Sequence, residues 1–132
     1  AWKAAEKLCR WVYESIHDKN LKIGFGSATQ TLESLEGDCT EHTVLLIALA
    51  RSVGIPTRVC AGLVFQRDAF YYHFWPEVYV GEWVAMEPTL GQIPADANHI
   101  QLAGSQLESD TMLEFGEGVM RTLNQLEIEV IE

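Results

Sequence analysis

The feature that most constrains the fold is an apolar helical segment with a clear signal at each end. Residues Cys39 to Val53 are rich in Leu, Ala and Ile, which favour a helix. Gly37 and Asp38 come immediately before this segment, and Asp38 is a suitable N-cap. Gly54-Ile55-Pro56 follows the segment and stops the helix. The sequence therefore predicts a central, mostly buried helix that begins at or next to Cys39.

The pattern changes after Pro56, where Val, Phe and Tyr become frequent and alternate in part with polar residues. Such alternation predicts strands. Near the start of the chain, apolar residues recur at steps of three and four from Trp2 to Ile16, which predicts a helix with one buried face. We expect a loop over 17–28, a short helix over 29–35, antiparallel strands over 58–65, 72–80 and 83–86, a loop over 87–98, a strand over 99–102, a helix over 105–115 and a final strand over 126–131.

Length and charge narrow the class of protein. The 132 residues fit a single domain. A formal net charge of −10 without a basic cluster argues against nucleic-acid binding. The longest apolar stretch, Val44 to Ala50, is far shorter than the roughly 20 residues of a membrane span. The chain begins at Ala1 rather than Met, so we expect it to be part of a longer protein with other domains; its compartment stays open.

The three cysteines differ in what their positions predict. Cys9, Cys39 and Cys60 are widely spaced and form no CxxC pair, which predicts neither a disulfide framework nor a zinc site. Cys39 stands out because a helix start favours a thiolate, the nucleophilic form of cysteine. Cys9 and Cys60 fall within the apolar patterns of a helix and a strand, and we expect both to be unreactive core thiols. On this local evidence a core role for Cys39 is the alternative.

Two further residues can complete a site with Cys39. In a strand, His73 shares a face with Trp75 and Glu77, so its imidazole can project toward the helix start. Glu87 follows the next short strand and can accept the second N–H of His73. Cys39, His73 and Glu87 would then serve as nucleophile, base and orienting acid. Taken one at a time, a strand histidine and a glutamate before proline more often have structural roles.

The order of cysteine, histidine and acid, each on its own element, resembles the transglutaminase-like superfamily, including its bacterial cysteine protease domains. That resemblance implies the papain-like cysteine peptidase fold, an α+β fold in which the helix bearing the cysteine packs on an antiparallel β-sheet. Four segments carry it: Gly37-Asp38-Cys39-Thr40-Glu41-His42, then 48–59 from Ala48 to Val59, His73-Phe74-Trp75-Pro76-Glu77-Val78-Tyr79-Val80, and Trp83-Val84-Ala85-Met86-Glu87-Pro88-Thr89.

The acid departs from the family pattern. The family normally has Asp in an Asp-Pro-Thr triplet, whereas this chain has Glu87-Pro88-Thr89. Glutamate is one methylene longer, and a misplacement of about 1 Å can cost about a hundredfold in rate. Asp96, in the following loop, is the alternative acid. A weakened site is therefore a second hypothesis.

The resemblance implies acyl transfer on a protein or peptide amide through a thioester on Cys39, which water or an amine then resolves. The backbone N–H of Cys39 is the expected oxyanion donor, and we expect Gln30, with Trp11 behind it, to supply the second donor. Trp75 is expected to line the cleft or to fill the core. His42 lies one turn beyond Cys39 and is expected to support packing.

Three functional hypotheses follow from the sequence. The first is a thiol hydrolase or acyltransferase acting on protein or peptide amides. The second is a binding or scaffolding module that keeps the fold without turnover, for which Glu87 is the hint. The third is a structural domain of a larger envelope or assembly protein. Neither a cofactor nor a metal is expected, since the acidic residues of the tail lack the spacing of a calcium loop.

Overall fold

The computed structural model describes residues 1–17, 25–108, 111–123 and 125–131. These residues form helices and an antiparallel sheet, which confirms the predicted α+β class. In chain order the elements are α1 (Trp2–Ser15), α2 (Ala28–Ser34), α3 (Cys39–Ser52), β1 (Thr57–Gln66), β2 (Ala69–Tyr79), β3 (Trp83–Ala85), β4 (His99–Ser105) and α4 (Met112–Leu123).

Helix α3 is the centre of the core. It packs against α1, α2 and the strands β1 and β2. Leu45, Leu46 and Ala50 join the apolar face of α1 in one cluster, while Ile47 belongs to a second cluster with the sheet and α4. Burying a leucine side chain fully stabilises the fold by about 1.5–3 kcal/mol. Because α3 is covered on more than one side, its middle part, from Val44 to Ala50, is apolar all round instead of along one stripe.

Helix α1 has the amphipathic pattern that the sequence predicts. Ala5, Cys9 and Val12 are buried and lie along one face of the helix, and Ile16, just after its end, is buried with them. No helix in the described part of the chain is both long enough and apolar enough to cross a bilayer.

The sheet places β1 and β2 at its centre, in the strand order β3-β2-β1-β4. All neighbouring strands are antiparallel, and β1 pairs with β2 from Thr57–Val78 to Gln66–Ala69. Strand β4 pairs with the other edge of β1, so Gly62 has His73 on one side and Gln101 on the other. The strand that carries His73 is thereby fixed relative to the strand that begins at His99.

Two predicted elements near the end of the chain are wrong. The predicted helix over 105–115 is displaced, because β4 continues to Ser105, where it pairs with Val59, and α4 begins only at Met112. The predicted strand over 126–131 is absent from residues 125–131, in which Val130 and Ile131 are exposed. Alternation alone does not make a strand when no partner strand is available. Of the predicted loop over 17–28, residues 18–24 lie outside the described residues.

Gly62 allows β4 to come close to β1. The pairing register shifts between Ala61 and Gly62, and a Cβ atom at position 62 would overlap the backbone carbonyl oxygen of Ile100. A side chain of any size would push β4 away, since a backbone carbonyl cannot turn aside as a flexible side chain can.

We therefore expect Gly62→Ala to lower the free energy of unfolding by about 3 kcal/mol. The matched control is Gly118→Ala in α4, where an added Cβ meets no atom within 4 Å. This control should raise the free energy of unfolding by about 0.5–1 kcal/mol, because alanine favours a helix more than glycine does. Urea unfolding of the two variants measures both changes, and equal effects would contradict the assigned role of Gly62.

Candidate active site

The start of α3 is built to hold Cys39 in one position. The Asp38 carboxylate accepts the backbone N–H of Thr40 at 2.9 Å and caps the helix. The buried Glu41 carboxylate accepts the N–H of Asp38 at 3.0 Å and that of Gly26 at 2.9 Å. These bonds tie the segment before α2 and the turn before Cys39 to the first turn of α3.

Gly37 is required in that turn. Its φ of 147° is in the region that favours glycine, and a Cβ atom there would run into the Glu41 side chain. Burial and a hydrogen bond with Glu41 raise the pKa of Asp38 to about 6. The turn thus packs two carboxyl groups beside the positive end of the helix that presents Cys39.

His73 lies on β2 and faces Cys39. It is buried, and its Nε2 donates to Glu87 Oε2 at 2.6 Å. The Cys39 side chain lies on the other side of the ring and helps to raise the pKa of His73, and both side chains line the same cavity. Trp75, two residues along the same strand face, stacks on the imidazole with ring centroids 6.1 Å apart and planes 24° apart. The imidazole is therefore held by the Glu87 hydrogen bond at its edge and by a tryptophan ring at its face.

Glu87 is fully buried and hydrogen-bonded at both carboxylate oxygens. Oε1 accepts the backbone N–H of Thr89 at 3.2 Å. Oε2 accepts from His73 and also from His99 Nε2, the latter at 2.7 Å. The backbone of Glu87 forms a bridge with Gln92, which closes the loop after β3 and fixes where the side chain starts.

The electrostatics of the site favour a charged imidazole beside an ionised carboxylate. Burial disfavours the charged form of His73, but hydrogen bonds with Cys39 and Glu87 outweigh it and raise the pKa of His73 to about 10. Burial also disfavours the Glu87 carboxylate, yet the hydrogen bonds from His73 and His99 lower its pKa to about 2. Both shifts stabilise the same ion pair.

A cavity of about 730 Å³ opens beside Cys39 and His73. Its walls come from α1, α3, α4, the hairpin of β1 and β2, and the loop after Glu87. The described residues lining it include neither Gln30 nor Trp11, so the expected side-chain oxyanion donor is not on its wall. The other lining residues are Tyr13, Phe25, Asp38, Thr40, Val64, Gln66, Arg67, Tyr71, Tyr72, Phe74, Thr89, Leu90 and Met120.

The structure gives the other candidate residues local roles. Gln30 is exposed and its side-chain oxygen accepts the N–H of Ser27 in the capping box of α2. Trp11 is 42% exposed on α1. Trp75 is 2% exposed and lies behind His73, outside the cavity lining. His42 is buried on α3, with Nδ1 2.6 Å from the carbonyl oxygen of Asp38.

The two remaining cysteines lie in the core. Cys9 and Cys60 are fully buried, and burial raises the pKa of both thiols, that of Cys9 to about 12. Cys39 is partly exposed and lines the cavity. Among the three free cysteines, Cys39 is therefore the one that a substrate can reach.

His99 is the site residue that sequence reasoning missed. It starts β4, and its side chain is 5% exposed against Glu87. Glu87, His73 and His99 offer ligand atoms within 4.8 Å of one another, which is compact enough for a metal such as Zn²⁺. A metal there would replace the protons that both histidines donate to Glu87. The short nitrogen–oxygen distances fit the protonated, hydrogen-bonded arrangement.

The fold and this site define a papain-like α+β domain in which a cysteine and a histidine line one cavity and a buried carboxylate contacts the histidine from behind. The family model of the transglutaminase-like superfamily matches residues 1–88, more than half of the chain. The chain therefore belongs to the transglutaminase-like superfamily, as its sequence motifs predict.

Solved structures share the fold at low sequence identity. A putative cysteine protease from Cytophaga hutchinsonii is 23% identical with a TM-score of 0.68; the match covers 77% of this chain and 35% of the protease chain. This chain thus spans about a third of that protein. Calcium-bound LapG from Legionella pneumophila is 13% identical with a TM-score of 0.65, over 92% of this chain and 79% of LapG. No curated protein sequence matches the chain significantly.

The ion pair makes stability depend on pH in a defined window. Glu87, with its pKa lowered from 4.5 to about 2, stabilises the fold fully above pH 4.5 and less as the pH falls through 2. His73, with its pKa raised from 6.5 to about 10, stabilises the fold fully below pH 6.5 and less as the pH rises through 10. Both contributions are complete only between pH 4.5 and 6.5.

In that window we expect the unmodified protein to exceed Glu87→Gln in free energy of unfolding by roughly 3 kcal/mol. The difference should shrink toward pH 2 and toward pH 10. Urea unfolding of both proteins across this pH range measures it, and comparison with the variant cancels the titration of other groups. A difference that does not vary with pH would contradict the assigned ion pair.

Proposed function

We propose that this domain catalyses thiol-dependent acyl transfer on peptide or protein amides, with water as the usual acceptor. One observation carries the proposal: Cys39 and His73 line the same open cavity, and behind them the buried Glu87 carboxylate accepts a hydrogen bond from His73 at 2.6 Å. In such an arrangement the base activates the sulfur, and the acid holds the base in the required tautomer. The Cytophaga protein is named a putative cysteine protease, and that name supports hydrolysis over cross-linking.

In the proposed reaction the Cys39 sulfur attacks the amide carbon and forms a C–S bond. The C–N bond then breaks as the His73 imidazolium gives its proton to the leaving amine, which leaves a thioester. Neutral His73 next takes a proton from water, whose oxygen attacks the thioester carbon. The C–S bond breaks, and the acid product and the free cysteine result. The backbone N–H of Cys39, at the positive end of α3, is the proposed donor to the oxyanion.

The cavity supports a peptide with apolar side chains next to the reacting amide. Phe25, Tyr71, Tyr72, Leu90 and Met120 are among its apolar and aromatic lining residues, and contact with apolar groups of a peptide would remove such surface from water, which is favourable. We therefore propose peptide segments with aliphatic or aromatic residues flanking the amide as the substrate class. If a lysine-type amine is the acceptor instead of water, the product to look for is a cross-linked amide.

Alkylation with iodoacetamide tests the nucleophile directly. We expect Cys39 to react faster than a free thiol at neutral pH, and His73→Ala to slow the reaction by at least about a hundredfold. His17→Ala, which changes an exposed histidine, is the matched control and should leave the rate unchanged. Cys9 and Cys60 should stay unmodified in the folded protein because both are buried. Labelling of Cys39 no faster than a free thiol would refute the proposal.

A binding or scaffolding module is the second candidate function, and the glutamate at the acid position favours it. If Glu87 had weakened the site, Glu87→Asp would speed the alkylation of Cys39. The contacts of Glu87 favour the opposite result, because its carboxylate already lies 2.6 Å from His73. A shorter side chain withdraws the carboxylate by about 1 Å, so we expect Glu87→Asp to slow alkylation by about ten- to a hundredfold. A faster variant would favour the weakened module.

A further inference from the structure

We propose that His99 is a positioning residue, which holds Glu87 in place for His73 and receives its own orientation from Asp96. The inference rests on the proposed function, and it explains how the site works with glutamate where the family normally has aspartate. It concerns residues outside the cysteine, histidine and acid that the family motif supplies.

The first support is that one carboxylate oxygen serves two histidines. Glu87 Oε2 accepts from His73 Nε2 at 2.6 Å and from His99 Nε2 at 2.7 Å. All three side chains are buried, at 8%, 5% and 0% exposure for His73, His99 and Glu87. Charge-assisted hydrogen bonds of this length in a dry environment are strong and directional. His99 therefore restrains the same oxygen that orients the proposed base.

The second support is the charge that the geometry requires of His99. Its Nδ1 lies 3.0 Å from the carbonyl oxygen of Asp96 and 3.1 Å from Asp96 Oδ1. Both are acceptors, as is the Glu87 oxygen at Nε2, so both ring nitrogens of His99 donate and the ring is an imidazolium. Burial and the charge of His73 oppose this state, while hydrogen bonds with Glu87 and Asp96 raise the pKa of His99.

Asp96 is itself fixed within its loop. Its carboxylate accepts from the side chain of Gln92 at 2.9 Å and from the backbone N–H of Asn98 at 3.0 Å. Its own N–H donates to Gln92 at 3.1 Å. The loop therefore presents a fixed acceptor to His99, and positive and negative groups alternate along one chain of contacts: His73, Glu87, His99 and Asp96.

The extra methylene of Glu87 is the reason that such support matters. Compared with aspartate, glutamate has one more rotatable bond, and a carboxylate held only by His73 could swing with it. Thr89 holds Oε1 and His99 holds Oε2, so the carboxylate is anchored at both oxygens. Small displacements of an orienting group are costly in rate. The hydrogen bond from His99 thus restricts the position of the glutamate carboxylate, as the shorter side chain restricts that of an aspartate.

A double-mutant cycle on Cys39 alkylation tests the coupling. We expect His99→Ala to slow alkylation by about tenfold. In the Glu87→Gln background the same change should cost less than about twofold, since there is no carboxylate left to position. His99→Gln keeps a hydrogen-bond donor, so its alkylation rate should lie within about threefold of that of the unmodified protein. His17→Gln is the matched control. A tenfold loss that persists in Glu87→Gln, or no loss at all, would overturn the inference.

The protonation state of His99 gives a readout that turnover does not affect. In protein with ¹⁵N-labelled histidine, we expect both ring nitrogens of His99 to carry protons just above pH 6.5, the ordinary pKa of histidine, with the signal assigned by its loss in His99→Gln. In Glu87→Gln only one nitrogen should carry a proton. The described charged groups that face His99 are Glu87, Asp96 and His73. A singly protonated His99 in the unmodified protein would overturn the inference.

The two proposals fail in different ways. If Cys39 labels no faster than a free thiol, the proposed function is refuted, and the NMR measurement still decides whether His99 is held as a cation by Glu87 and Asp96. If Cys39 labels fast and His99→Ala matches the unmodified protein, only the role of His99 is refuted. Where His99→Ala does not fold, judged by its circular dichroism, the NMR result decides.

Discussion

A fully buried carboxylate is the constraint on which the site depends. Taking an ionised carboxylate out of water costs several kcal/mol unless hydrogen bonds and opposite charge compensate. Glu87 meets this requirement with the N–H of Thr89 and with both His73 and His99. The same contacts that make its burial possible also fix the imidazole that faces Cys39. Stability and the proposed chemistry therefore rest on one set of hydrogen bonds.

The hydrogen bonds around Glu87 exist only because the sheet brings distant segments of the chain together. His73 is on β2, Glu87 follows β3, and His99 begins β4, which pairs with the far side of β1. The close approach of β4 requires a glycine at position 62, opposite His73. The position of His99 is thus set by backbone packing between β4 and the adjacent strand β1, and the chain between β3 and β4 has only to turn the Glu87 carboxylate inward.

Sequence patterns predict those parts of the fold that local physics determines. The start of α3 is visible because glycine, a capping aspartate and an apolar run occur together, and His73 and Glu87 stand out through the family motif. His99 carried no signal, because a histidine at a strand start is ordinary and its partner is twelve residues away. The strand predicted over 126–131 failed for a related reason: alternation is local, whereas pairing depends on a neighbour that the pattern does not reveal.

One side of His73 is buried and the other faces the cavity, and the proposed mechanism requires both environments. Glu87 and His99 lie on the buried side of His73, where low polarity strengthens their attraction for the imidazolium. Cys39 lies on the cavity side, where a peptide and then water must enter. If the acid were exposed, water would compete for its hydrogen bonds and weaken its hold on the base. If the sulfur were buried, no substrate would reach it, so the imidazole has to stand at the boundary between the two.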